Sequence, residues 1–283
     1  MSSILSTTNH NRDAVGLTYV YPVLSRRAGG LSIGINFNTN NACNWRCLYC
    51  QVPDLKLGSA PELDFQVLEQ ELRGFLADVL QGDFFERYGV AENNRIIKDI
   101  AMSGNGEPTS VKDFAAAVEL IGQIATEFGV FKRSKFVLIT NGSLMHHARV
   151  QAGLKVLHDY GGEVWFKFDS ATDGGRKTLN NAEQSAQKAL ENLQICAEIC
   201  STKLQICLIT TPDPLFMQHE QRMLLGMLKA IRESIHIQEL LIYTIARPSL
   251  QPEASLISKC SEQVMNDFAD TARGLGYQVS VSF

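Results

Sequence analysis

No apolar run in this chain approaches the roughly 20 residues that an α-helix needs to cross a bilayer. The opening Met1-Ser-Ser-Ile-Leu-Ser-Thr-Thr-Asn-His10 has neither the basic start nor the continuous apolar centre of a secretory signal. These two absences predict a cytoplasmic protein without a membrane-spanning segment. An excess of one charge is also missing: 26 basic and 30 acidic side chains leave a formal net charge of -4 in 283 residues. No global positive field therefore gathers nucleic acid or anionic lipid. The compact basic spots are Arg26-Arg27 and Lys132-Arg-Ser-Lys135, and groups this short usually belong to solvated surface. Seven cysteines are an odd number, and in a cytosolic protein thiols serve as metal ligands, catalytic groups or core residues rather than as disulfides.

What the chain does have is a 45% hydrophobic fraction, enough for a sizeable core, and a regular alternation of short β-branched runs with longer amphipathic ones. The short runs predict strands over 31–37, 97–102, 136–140, 164–169, 204–209 and 237–244. Apolar residues at three- and four-residue spacing predict helices over 63–80, 111–128, 146–159, 182–201, 215–234 and 261–274, with a last edge strand over 277–281. Six βα units without a strong linker fit either a curved partial (β/α) barrel or an open doubly wound sheet. Both place their active face at the carboxyl ends of the strands.

The chemistry-bearing residues fall at those ends. After the first strand comes Cys43-Asn-Trp-Arg-Cys47-Leu-Tyr-Cys50, a C-x3-C-x2-C spacing that lets three thiolates converge on one inorganic centre. No fourth cysteine is close by. An iron-sulfur cluster with three protein ligands keeps one iron open to a small molecule. Zinc sites usually add a second cysteine pair or histidines further on, and no such second half appears at a usual spacing. The alternative is a non-catalytic iron-sulfur or zinc-binding module completed by a distant ligand such as Cys260. Cys196 and Cys200 share a helical face, where packing and a second metal site are both open; Cys207 and Cys260 read as structural.

Other strand ends carry Ser103-Gly104-Asn105-Gly106-Glu107-Pro108, Asn141-Gly142, Lys167-Phe168-Asp169-Ser170 and Tyr243-Thr-Ile-Ala-Arg247-Pro248. Glycines 104 and 106 permit close backbone approach, and Pro108 biases Glu107 toward an extended conformation. Strand alternation puts Lys167 and Asp169 on one face, opposite Phe166 and Phe168; a ligand contact and a structural Lys-Asp bridge are both open. Asn141 is a polar candidate within a common turn dipeptide. Arg247 suits either a substrate carboxylate or phosphate, or a bridge to acidic residues at the rim. His146 and His147 open a helix and receive no catalytic role.

The cysteine loop resembles the signature of the radical SAM superfamily, C-x3-C-x-aromatic-C, with Tyr49 at the aromatic position. The opening Gly34-x-Asn36-x-x-x-Asn40-Asn41-Ala42-Cys43 and the Tyr243 to Pro248 segment resemble the branch related to wyosine-type tRNA-modifying enzymes, and the likeness runs from about Gly30 through Pro248. It implies a partial (β/α)6 TIM-like barrel, with residues 1–29 as an N-terminal extension and 30–283 as the core domain. It also implies a 4Fe-4S cluster on Cys43, Cys47 and Cys50, and S-adenosylmethionine (SAM) bound near Tyr49, Gly104, Gly106, Glu107, Asn141, Lys167, Asp169 and Ser170. The activity implied is reductive cleavage of SAM to a 5′-deoxyadenosyl radical that takes hydrogen from a substrate. The partner implied is a reductant such as a flavodoxin or ferredoxin. RNA, a peptide and a small metabolite all stay open as substrate. The first forty residues contain no further cysteine cluster of the kind expected for a second iron-sulfur centre.

Overall fold

The computed structural model describes Leu5 and residues 15–25 and 29–283, so the basic pair Arg26-Arg27 lies outside the described residues. The chain enters through β1 (Val20–Ser25) and β2 (Gly30–Ile35), then the two-residue strands β3 (Ala42–Cys43) and β4 (Lys56–Leu57). Next come α1 (Phe65–Gln81), α2 (Phe84–Arg87), β5 (Ile97–Met102), α3 (Phe114–Glu127), β6 (Lys135–Thr140), α4 (Ala148–Asp159) and β7 (Glu163–Lys167). It continues with α5 (Asp173–Asn180), α6 (Ala186–Ile199), β8 (Ser201–Cys207), β9 (Ile209–Thr210) and α7 (Pro214–Ile231). The last elements are β10 (Leu240–Tyr243), β11 (Ser258–Lys259), α8 (Glu262–Gly274) and β12 (Val279–Ser282).

Eight strands form one sheet in the order β1-β2-β5-β6-β7-β8-β10-β12. From β2 to β12 every neighbouring pair is parallel and follows chain order. A doubly wound sheet needs a point where strand order reverses, and none occurs here. Successive right-handed crossovers in one direction put their helices on a single side; the sheet curls into half of a barrel, the partial TIM-like fold. The segment 20–25, which carries no strand expectation from sequence, is β1, antiparallel to β2 and closing that edge.

Alternation divides the sheet into two unlike faces. The helix-covered face carries Ile33, Ile35, Ile100, Met102, Phe136, Leu138, Val164, Phe166, Leu204, Ile206, Leu240 and Ile242, each at most 1% exposed. Burial of each such side chain contributes roughly 1.5–3 kcal/mol. The concave face carries buried Asp99, Glu163, Lys203 and Gln205 among half-buried Ile139, Trp165, Lys167 and Leu241, with Lys203 level with Trp165 and Gln205 level with Lys167 and Leu241. At its edge Tyr21 lies over Gly34, where a Cβ would sit 2.1 Å from the ring, and its hydroxyl meets Ser103 Oγ at 2.8 Å.

Helix α5 breaks the expected spacing. Two glycines in Asp173-Gly-Gly-Arg are poor helix formers, yet the helix forms because Thr172 caps it, accepting from the Gly175 N–H. Its second glycine has a steric cause: a Cβ on Gly175 would lie 2.1 Å from Glu220 Oε2 and 2.3 Å from Ser170 Oγ.

Candidate active site

The cysteine loop rests on the end of α5. The Arg46 N–H donates to the Asn180 carbonyl at 3.1 Å and the Leu48 N–H to the Leu179 carbonyl at 2.9 Å, which satisfies carbonyls that a helix terminus leaves without partners. From the other side, Ser249 Oγ donates to the Leu48 carbonyl at 2.6 Å and Leu250 N–H to the Cys50 carbonyl at 2.9 Å. Arg46 and Glu253 add a two-pronged ion pair at 2.7 and 2.8 Å.

Cys43, Cys47 and Cys50 are all partly exposed and unpaired with one another. Two N–H donors already point at sulfur: Trp45 N–H reaches Cys43 Sγ at 3.4 Å, and Asn180 Nδ2 reaches Cys47 Sγ at 3.3 Å. Burial pushes the Cys43 thiol up to about 12, with Cys47, Glu107 and Cys50 adding to the rise and the Trp45 N–H opposing it. Burial raises Cys47 too, against Lys167, whose positive charge favours the thiolate. Metal uptake at such thiols must release protons. Among the described residues no three His, Cys, Asp or Glu side chains converge on the position of a single ion. A 4Fe-4S cubane imposes a different demand, since its cysteines attach to separate irons. Three thiols on one loop, with donors aimed at two of the sulfurs, fit that group. Buried polar atoms without a partner gather around the same loop: Asn38 Oδ1, Asn105 Oδ1, Arg176 Nη2 and Asn180 Oδ1.

Tyr49 turns inward and donates its hydroxyl to Asp169 Oδ2. Burial, then Asp169, holds that phenol well above its usual range, so it stays a donor. Lys167 Nζ lies 4.6 Å from the Tyr49 ring centroid, a cation-π distance. Burial works against the charge on Lys167, but Tyr243, Cys47, Asp169 and Cys207 around it keep the ammonium well above the lysine norm. Lys167 and Asp169 share a face as alternation requires, yet Lys167 is in no ion pair within 4 Å among the described residues; the expected alternative of a direct Lys-Asp bridge does not form. Asp169 instead accepts from Asn180 Nδ2 at 2.8 Å and from the Cys207 N–H at 2.9 Å.

Glu107 sits on the other flank, extended at φ -90° and ψ 110° as Pro108 favours. Its carboxylate accepts from Thr109 N–H at 3.1 Å, Thr109 Oγ1 at 2.6 Å, Thr140 Oγ1 at 2.6 Å and Asn141 N–H at 2.7 Å. Burial raises its pKa, and those four donors oppose the rise. Asn141 donates to Asn44 Oδ1 at 2.8 Å and accepts from Ser143, linking β6 to the cysteine loop. Gly104 and Gly106 approach this chain's own residues: a Cβ would fall 2.3 Å from Asn36 Oδ1 and 2.0 Å from the Ala42 carbonyl, respectively. Ser170, fully buried, donates to Glu220 Oε2 at 2.5 Å.

Arg247 lines a cavity of about 370 Å³ with Ile245, Pro248, Ser249, Ile257 and Lys259, and its carbonyl accepts from Gln51 Nε2 at 3.1 Å. Cys196 and Cys200 are core residues: both are buried, their thiols meet Thr202 Oγ1 and the Gly162 carbonyl, and burial raises each to about 12. Cys260 is buried, with its N–H donating to Thr244 Oγ1 at 2.9 Å. His146 and His147 pack ring against ring in a tilted pair at an exposed helix start. Lys135, in the short basic segment, is spent on Glu163 at 3.1 Å.

Asn180, Arg176 and Cys207 belong to this site and carry no expectation of site membership from sequence, whereas Tyr243 opens the strand-end segment expected there. Arg176 is 1% exposed, with its guanidinium 5.2 Å from the Trp45 ring centroid and 5.6 Å from that of Phe168. Its position one helical turn before Asn180 was a usable signal only with α5 known.

A curled parallel sheet with three cysteines at the carboxyl end of its first parallel strand defines a partial-barrel metalloprotein. The chain belongs to the radical SAM superfamily, whose family model matches residues 37–214. Members of that family use a 4Fe-4S cluster and SAM. The chain is also similar to a protein named GTPase Obg from Brachyspira hyodysenteriae, 32% identical over 137 residues, covering 48% of this chain and 17% of that protein. It spans less than two-fifths of the length of the curated relatives it matches. Among solved structures it resembles a radical SAM methyltransferase from Sphaerobacter thermophilus, with a TM-score of 0.60 and 12% identity over 93% of this chain and 68% of that one. A structure of TYW1 with a lysine-pyruvate adduct bound gives a TM-score of 0.54 and 13% identity, over 87% and 74% of the two chains. At such identities the likeness is one of fold. No helix among the described residues is long and apolar enough to cross a membrane.

Proposed function

We propose that this chain is a radical SAM enzyme that holds its 4Fe-4S cluster on Cys43, Cys47 and Cys50 and abstracts hydrogen from a substrate seated on the concave face. When bound and reduced, the cluster and SAM together supply a 5′-deoxyadenosyl radical. The observation that carries this reading is the contact of Tyr49, in the cysteine loop, with Asp169 and Lys167 at the end of β7. Two segments 120 residues apart meet where a cofactor touching the loop would lie.

Tyr49 offers a buried ring face and Lys167 a positive charge for the carboxylate of a methionine moiety, while Asp169, with its three internal donors, holds Tyr49 in place. Glu107 and Ser170 are already spent on internal donors and acceptors, so they hold the strand ends in place. Gly104, Gly106 and Asn141 set the backbone that borders the loop. Half-buried Ile139, Trp165 and Leu241 give the substrate a partly apolar floor. Such a floor excludes water from a reactive species. A one-electron reductant such as a flavodoxin or ferredoxin completes the system. The test is anaerobic reconstitution followed by reductant and SAM. Slow formation of 5′-deoxyadenosine is expected, and deuterium should enter it only from a pool containing the substrate; a loaded, reduced protein that yields no 5′-deoxyadenosine counts against the reading.

A further inference from the structure

The side chain of Asn180 is fully buried at the end of α5 and stands between the two halves of the site. Its amide nitrogen lies 3.3 Å from Cys47 Sγ, 2.8 Å from Asp169 Oδ2 and 3.4 Å from the Tyr49 hydroxyl. A sulfur and a carboxylate both accept, so the amide must present its NH2 to them; the flipped arrangement would set oxygen against two acceptors. Its carbonyl oxygen has no hydrogen-bond partner. A buried amide that leaves its oxygen unpaired in order to point both hydrogens at the site is held there against its own polar satisfaction. The backbone carbonyl of the same residue receives the Arg46 N–H, so one residue fixes the cysteine loop at both main chain and side chain.

We propose that Asn180 is a positioning residue that joins cluster ligand Cys47 to Asp169, so that the electronic state of the cluster and the seating of SAM are set together. This rests on the proposed function above. Hydrogen bonds to ligand sulfur are among the factors that set the potential of an iron-sulfur cluster, and a donor removed from a thiolate leaves more electron density on it. Groups that orient ligands typically change affinity by roughly 10–100-fold when mutated.

The test uses full-length protein and two variants, Asn180→Ala and Asn180→Leu, the second keeping side-chain volume without an amide. In both, the cluster's midpoint potential, followed by electron paramagnetic resonance in a mediated titration, is expected to move more negative than in wild type. The change that SAM produces in the reduced-cluster spectrum is expected to need roughly ten-fold more SAM. If either quantity stays at its wild-type value, Asn180 does not join the two and the proposal falls. In cluster-free protein both variants should alter the alkylation rate of Cys47 while Cys43 and Cys50 keep theirs; an unaltered Cys47 overturns the proposal even where a variant takes up no cluster. Wild-type protein whose cluster ignores SAM would overturn the proposed function itself, whereas responsive wild type with matching variants overturns only the role of Asn180.

Discussion

Glu107 and Asp169 are both buried carboxylates at the ends of parallel strands, one on each flank of the cysteine loop, and they differ in where their donors come from. All four donors to Glu107 lie on the ends of β5 and β6 or just beyond them. Those to Asp169 come from the cysteine loop, α5 and β8. Glu107 therefore ties strand to strand, while Asp169 ties the cysteine loop to the sheet with Lys167 beside it. The source of its donors separates a carboxylate that holds scaffold from one that holds a site.

The strongest way to break that comparison is Glu107→Ala. It leaves two buried backbone N–H groups and two hydroxyls without their acceptor, and a buried donor left unsatisfied costs about 1–3 kcal/mol, so the total is the largest expected here. Denaturant unfolding should show that loss in full. The fraction still folded should keep its response to SAM better than an Asp169 variant of equal or higher stability. If SAM response fails first, Glu107 belongs to the site and the division between flanks collapses.

Asp99 sharpens the comparison, being a third buried carboxylate with a single side-chain donor, Ser32 Oγ. Burial pushes its pKa from 3.8 to about 6, with Glu163 adding to the rise while Ser32 and Lys135 oppose it. The folded value exceeds the unfolded one, so the native state holds this proton more tightly. Stability from that preference is present below pH 4 and is lost as pH rises through 6. The shift corresponds to about 3 kcal/mol. Asp99→Asn removes the ionisation and keeps an acceptor for Ser32, so its stability relative to wild type should rise by about 2–3 kcal/mol between pH 4 and pH 7. A flat difference across that range would show that Asp99 already has compensation from Lys135.

How much of this was legible in sequence depends on whether the signal is local. The six strands expected between 31 and 244 follow from β-branched runs whose outward residues are mostly apolar, with Thr140 and Thr202 as buried exceptions, and the cysteine spacing marks the loop proposed to hold the cluster without any fold. Alternation places Lys167 and Asp169 together, since strand period is a backbone property. Helix α5 was not legible, because Gly174 and Gly175 lower helix propensity and the steric reason for Gly175, the closeness of Glu220, lies 45 residues further on. With α5 hidden, Asn180 and Arg176 had no face to share. Strand β1 is a single short antiparallel edge strand containing Pro22, the kind of residue a strand tolerates only at an edge. The roles of Gly104 and Gly106 were legible as close approach but not as approach to Asn36 and Ala42, because the occupant of the space is set by the fold.

Asp169→Asn makes the smallest change and asks the sharpest question. The asparagine oxygen can still accept from the Cys207 N–H, and the Tyr49 hydroxyl can rotate to accept from the new NH2, so only the Asn180 donor is left facing a donor. One such mismatch costs about 1–2 kcal/mol, less than Glu107→Ala. The effect on the site should be disproportionate, because the substitution removes the negative charge beside Lys167 and loosens the hold on Tyr49 at once. SAM affinity, read from the spectral response of the reconstituted protein, is expected to fall by roughly ten-fold or more. Equal and modest losses of stability and SAM affinity would mean that Asp169 is scaffold in the same sense as Glu107, and that the donors' origin in the cysteine loop carries no functional weight.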